Sequence, residues 1–137
     1  MRPRTLRPIV DYVVVDTPPG FTPLVIATID LATTVCSVGM LDILSLTDTR
    51  LGLDALELMG FPSDHIKLIL NRAGSSVGVS DEEVVGFWGR EPVIRVPSDR
   101  EIVRAVNAGT PILIAKPHCE ASKALRKLAQ QLAQDNS

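Results

Sequence analysis

The ten residues from Asp11 to Gly20 (DYVVVDTPPG) constrain this chain more than any others, because a β-branched apolar run stops at a carboxylate and turns at once. A strand covered on both faces reads as a continuous apolar run, and Val13, Val14 and Val15 fit that pattern. Pro18 and Pro19 fix φ and donate no hydrogen bond, while Gly20 permits positive φ and close approach of a ligand. Asp16 is therefore expected at the carboxyl end of a buried parallel strand, on the rim where open α/β sheets bind ligands.

Further along, strand and helix signals alternate. Leu24 to Ala32 reads as a short helix apolar enough to need cover on more than one side. Val35 to Met40 is a strand with Asp42 at its end, and Leu44 to Met59 an amphipathic helix stopped by Gly60 and Pro62. Ile66 to Leu70 is a strand ending at Asn71 and Arg72, followed by a flexible loop from Gly74 to Gly78. Ser80 with Glu83 forms a capping box opening a helix that carries Val84, Val85, Phe87 and Trp88. Val93 to Val96 is a short strand broken by Pro97, and Ser98 with Glu101 repeats the capping box for a helix through Asn107. A last helix, from about Glu120 to Gln134, carries the stripe Leu125, Leu128, Ala129, Leu132. This order predicts an α/β domain with a parallel sheet of about four strands and flanking helices.

These motifs resemble a known family. An apolar strand ending in Asp16-Thr17-Pro18-Pro19-Gly20 is similar to the Walker B and switch II segment of the MinD/ParA group of P-loop ATPases. Leu68 to Gly78 (LILNRAGSSVG), Val96 to Arg100 (VPSDR) and Ala105 to Pro111 (AVNAGTP) resemble the CpaE (TadZ-like) branch, associated with Flp/Tad pilus assembly. The resemblance runs from about Ile9 onward and implies a partial P-loop NTPase, doubly wound fold. It implies that Asp16 ligates the Mg²⁺ of ATP through water, as a hard cation reluctant to dehydrate prefers. Thr17, Pro18, Pro19 and Gly20 would sense the γ-phosphate. Asn71 and Arg72 would hold the base, the amide both donating and accepting toward a purine edge and the guanidinium stacking on it. Pro97 and Asp99 belong to the loop closing over adenine. Each has a plainer reading: a turn aspartate, a loop Asn and a surface Arg, or a helix cap, which accounts for Ser98.

The phosphate cradle of such an ATPase is missing from the sequence. No Gly-Lys dipeptide occurs, and Lys67, Lys116, Lys123 and Lys127 lack glycine-rich neighbours. The chain reads as residues 9 to 137 of a carboxyl-terminal half behind a disordered basic lead-in, residues 1 to 8, whether from a truncated reading frame, trimming or decay. In the family the P-loop strand lies between the Walker B strand and the next one. Without it, the strands at Val13 and Val35 either close up, the expected outcome, or leave open edges that self-associate. Intact members would bind and hydrolyse ATP as homodimers or with a P-loop-bearing partner, acting on pilus assembly or secretion proteins. The chain alone is expected to be inactive, and the rival reading is a non-catalytic interaction or localisation scaffold.

Composition narrows the rest. The 137 residues, 45% hydrophobic with a net charge of -2, suit one domain with a sizeable core and no broad nucleic-acid face. Cys36 and Cys119 lack paired spacing and read as reduced thiols, and His118 with His65 is too few ligands for a metal site. No apolar run reaches the about 18 residues of a membrane span, and the final helix has no aromatic anchor, so the expected compartment is the cytoplasm. A receiver-like fold phosphorylated on Asp16 is poorly served by the two prolines after the acid.

Overall fold

A computed structural model describes residues 9–74 and 78–135. The lead-in and the loop residues Ser75, Ser76 and Val77 fall outside them. Three parallel strands form one sheet in the order β1 (Val35–Met40), β2 (Ile66–Ala73), β3 (Ile94–Pro97). Around them lie α1 (Pro23–Leu31), α2 (Ile43–Leu58), α3 (Asp81–Trp88), α4 (Arg100–Asn107), α5 (Ile112–Ala115) and α6 (Glu120–Asp135).

Local signals set most of these elements. Asp42 caps α2 by accepting the Ser45 N–H at 2.8 Å, and Gly60, at φ 74, ends the helix with the Phe61 N–H bonded to the Leu56 carbonyl. Ser80 and Glu83 make the anticipated reciprocal box, with the Ser80 N–H on Glu83 Oε2 at 2.7 Å and the Glu83 N–H on Ser80 Oγ at 3.2 Å. At α4 the cap is Asp99, whose Oδ1 accepts the Glu101 N–H at 2.8 Å, rather than Ser98. The Ser98 N–H is engaged by the Ala73 carbonyl at 3.1 Å, and α4 begins at Arg100, which leaves Asp99 as the residue flanking the first turn.

Side chains alternate across the sheet and separate two cores. On one face Ile66, Leu68 and Leu70 of β2 pack with Val25 and Ile29 of α1, Leu46, Leu53 and Leu56 of α2, and Val84 and Trp88 of α3. On the other, Ile69 of β2 and Ile94 and Val96 of β3 meet Ala121, Leu125 and Leu128 of α6. α6 thus packs on the sheet, as its stripe predicted. Each fully buried leucine in these clusters contributes about 1.5–3 kcal/mol through the apolar surface it removes from water.

Two expectations are corrected. Val13, Val14 and Val15 do not form a strand: residues 10 to 18 belong to no helix or sheet and bend at Asp11, all are exposed, and Val14 is 92% exposed. The sheet therefore has three strands instead of about four, and the segment does not close up against Val35. A β-branched run becomes a strand only where a neighbour accepts its backbone bonds, and none of the described residues does so here. Second, α1 is not covered on several sides. Only Val25 and Ile29 are buried, and Leu24 faces outward.

α6 covers β2 and β3 but stops short of β1. The register Cys36↔Lys67, Val38↔Ile69, Met40↔Asn71 puts Cys36, Val38 and Met40 on the α6 side of the sheet, where all three are exposed.

Candidate functional site

Parallel strands deliver their carboxyl ends to one rim. There Met40 of β1 pairs with Asn71 of β2, and Asn71 and Ala73 pair with Val96 and Pro97 of β3 across an irregularity at Arg72. That bulge places Arg72 at φ 55, the one positive-φ residue other than glycine among the described residues. Asn71 Oδ1 accepts the Arg72 N–H at 3.0 Å, which steadies the turned backbone. The bond from the Ser98 N–H to the Ala73 carbonyl at 3.1 Å then ties the loop after β3 to the end of β2. Asn71, Arg72, Pro97 and Asp99, singled out separately in the sequence, stand together at this rim.

Their chemistry is partly committed. One Asn71 oxygen is used locally, leaving its amide N–H groups for a planar donor–acceptor edge. Asp99 Oδ1 is engaged as the α4 cap. At the neighbouring end of β1, Ser45 Oγ accepts the Met40 N–H at 2.7 Å while Asp42 caps α2. That cap belongs to the architecture of the rim, although the sequence reading gave Asp42 no role in the site. The left-handed Arg72 was also unforeseen, since no glycine or asparagine marks it.

Asp16 stands apart in character. It ends the unpaired segment, and among the described residues its carboxylate has no hydrogen-bond or ion-pair partner. Thr17 to Gly20 continue as exposed backbone with Gly20 at φ 90, and open space surrounds the position where a Gly20 Cβ would sit. No group of three or more His, Cys, Asp or Glu side chains gathers among the described residues. A single exposed carboxylate does not hold Mg²⁺ without phosphate oxygens to share it. Asn71, Arg72, Pro97 and Asp99 thus share one rim, whereas the described residues around Asp16 gather no set of ligands for a metal ion.

No family model matches the chain. It is 26% identical over 133 residues to the chloroplastic septum site-determining protein MinD homolog of Arabidopsis thaliana, covering 93% of this chain and 40% of the relative. A ParA family ATPase from Chlorobium tepidum superposes with a TM-score of 0.83 at 22% identity, over 93% of this chain and 53% of that one. The septum site-determining protein MinD of Pyrococcus horikoshii, solved with Mg-ADP, gives 0.80 at 24% identity over 98% of this chain and 56% of that one. The fold is that of the ParA/MinD P-loop ATPases, and the chain spans about half the length of the proteins it matches. These likenesses support the MinD/ParA-type resemblance carried by the motifs.

Proposed function

We propose that this chain is the carboxyl-terminal, base-binding half of a MinD/ParA-like ATPase of the CpaE type. In the intact form such an enzyme binds and hydrolyses ATP with Mg²⁺ to position pilus-assembly or secretion machinery. The observation that carries this reading is the convergence of Asn71, Arg72, Pro97 and Asp99 at the carboxyl ends of a parallel sheet, locked by the bond from Ser98 to Ala73. The Mg-ADP bound to the Pyrococcus horikoshii neighbour supports nucleotide as the ligand class.

In this assignment Asn71 reads the purine edge, Arg72 stacks on the base, and the Pro97 to Asp99 loop closes over it. Asp16 and the Thr17 to Gly20 turn serve the phosphate side once a glycine-rich segment supplies the cradle. Phosphoryl transfer draws most of its acceleration from positioning and from neutralising phosphate charge. The chain by itself therefore turns over no ATP, and base contacts give at best roughly millimolar affinity, about 4 kcal/mol.

Amide NMR titration tests this directly. AMP, ADP and ATP are expected to shift the resonances of Asn71, Arg72 and Asp99 with similar weak affinities, with or without Mg²⁺, and Asn71→Ala should weaken all three while Asp16→Ala changes none. Micromolar, Asp16-dependent ATP binding would show a complete phosphate site and overturn the half-site account. Silence at these residues at about 10 mM AMP, well above a millimolar constant, would refute the base-binding assignment.

A further inference from the structure

β3 stands at one end of the three-stranded order and carries the Pro97–Asp99 loop to the rim. Toward α6 it is held by apolar packing, through Ile94 and Val96. Toward α3 it has no such hold, for none of its four residues belongs to the apolar core built there by β2, α1, α2 and α3. Arg95 supplies a polar tie instead. Its Nε lies 3.2 Å from Asp81 Oδ2 in the first turn of α3, and its Nη2 donates to Glu91 Oε2 at 2.8 Å. Nε is buried yet has no hydrogen-bond alignment with an acceptor, so its tie to Asp81 is one of charge.

We propose that Arg95 is a positioning residue for the rim: its ion pairs with Asp81 and Glu91 hold β3 so that the Pro97–Asp99 loop stays against the Asn71–Arg72 turn. The register supports this, since Arg95 stands opposite Leu70 and the next residue, Val96, opposite Asn71. Three residues past Arg95, the Ser98 N–H closes on the Ala73 carbonyl at 3.1 Å. Asp81 and Glu91 are largely exposed, and exposed ion pairs are individually weak and screened by salt. With no apolar packing behind them on this side, their loss frees the loop while both cores stay folded. Closure of the rim therefore depends on ionic strength. What the loop closes on rests on the base-binding reading above; the clamp itself does not.

Amide hydrogen exchange of the 137-residue chain reads the clamp directly. Arg95→Met should speed exchange at the Ser98 N–H by about three- to tenfold and leave the Leu53 and Leu56 amides of α2 unchanged. Arg95→Lys, which keeps a positive charge, should recover part of the protection. Raising salt from about 0.05 M to about 1 M should speed Ser98 exchange relative to Leu53 in the parent and not in Arg95→Met, because screening acts on charge pairs. A tie made only by packing of the arginine stem would show no such salt effect. Adenosine, which carries no charge, then reads the site: its shifts at the Asn71 and Arg72 amides should call for about threefold more ligand in Arg95→Met, and likewise in the parent at high salt. Equal Ser98 exchange in parent and Arg95→Met, or a parent indifferent to salt, would overturn the clamp. Faster Ser98 exchange with unchanged adenosine affinity would overturn its positioning of the site. A parent silent toward adenosine at about 10 mM would refute the base-binding reading, and the exchange comparison would still decide the clamp.

Discussion

Gly39 of β1 lies directly against Trp88 of α3: a Cβ at position 39 would stand 2.6 Å from Trp88 Cζ2 and 2.6 Å from Thr49 Oγ1. Only a glycine lets the strand approach so closely, and Trp88, 1% exposed, fills the space that a side chain would take. Gly39→Ala must push the ring or α2 aside, an overpacking that costs about 1–3 kcal/mol. Since Trp88 is the chain's single tryptophan, urea unfolding followed by its fluorescence reads both the lost stability and the altered packing. An unchanged midpoint would show that the contact is looser than described.

Ser122 seals the join between α5 and α6. Its hydroxyl is fully buried, 2.7 Å from the Lys116 carbonyl and 3.2 Å from that of Ile112. Ser122→Ala removes the hydroxyl's bonds but leaves the Ile112 carbonyl with the Lys116 N–H at 2.8 Å and the Lys116 carbonyl with the Cys119 N–H at 3.2 Å, so the cost is the net worth of the lost bonding, about 0.5–1.5 kcal/mol. Chemical denaturation should show that loss, whereas Lys123→Ala, which removes only an exposed i,i+3 pair with Glu120, should shift stability by less than about 0.5 kcal/mol.

Where local chemistry decides structure, the sequence was readable. The apolar runs of β1, β2 and β3, the capping box at Ser80 and the stripe of α6 each carry their own signal. The failures share a different cause. Val13 to Val15 has the composition of a buried strand, yet strandness is a property of a pair, and composition is silent about an absent neighbour. The cap of α4 is Asp99, one residue past the Ser98 that the capping-box pattern picked, because α4 begins at Arg100. α5 is four residues long, too short for periodicity to reveal.

Arg72 holds a left-handed backbone that a β-branched residue tolerates poorly. Arg72→Val is expected to destabilise the chain by about 1–3 kcal/mol, while Arg72→Asn, the non-glycine type most at ease there, should lie nearer the parent. Comparing the two by thermal unfolding separates backbone strain from loss of the guanidinium, which both variants share. Equal losses would assign the effect to the side chain.

Asp16 tests the corrected placement of the first apolar run. A carboxylate at the rim of a packed strand would be engaged by neighbours, but this one is exposed and unpartnered among the described residues. Asp16→Ala should therefore leave folding stability unchanged within about 0.5 kcal/mol. A loss above about 2 kcal/mol in monomeric protein would place Asp16 in a hydrogen-bonded network absent from this structure.

Cys36 supplies the pH dependence. Cys36 is exposed by surface area, yet the partial desolvation of its thiol against the sheet raises its pKa above the ordinary value of 9.0, with the Lys67 ammonium pulling the other way. Lys67 is held by Asp135 at 2.6 Å, which moderates that opposing pull. A raised folded-state pKa means that the native chain keeps its proton where the unfolded chain has lost it. The associated stability is thus complete below the unfolded value and declines as pH rises through the folded one. Native-state alkylation of Cys36 in a Cys119→Ser background should show a rate midpoint above that of the same chain in denaturant, since only the thiolate reacts. Lys67→Met should move the native midpoint higher still. A native midpoint at or below the denatured one would mean that the Lys67 charge outweighs burial at this face of β1.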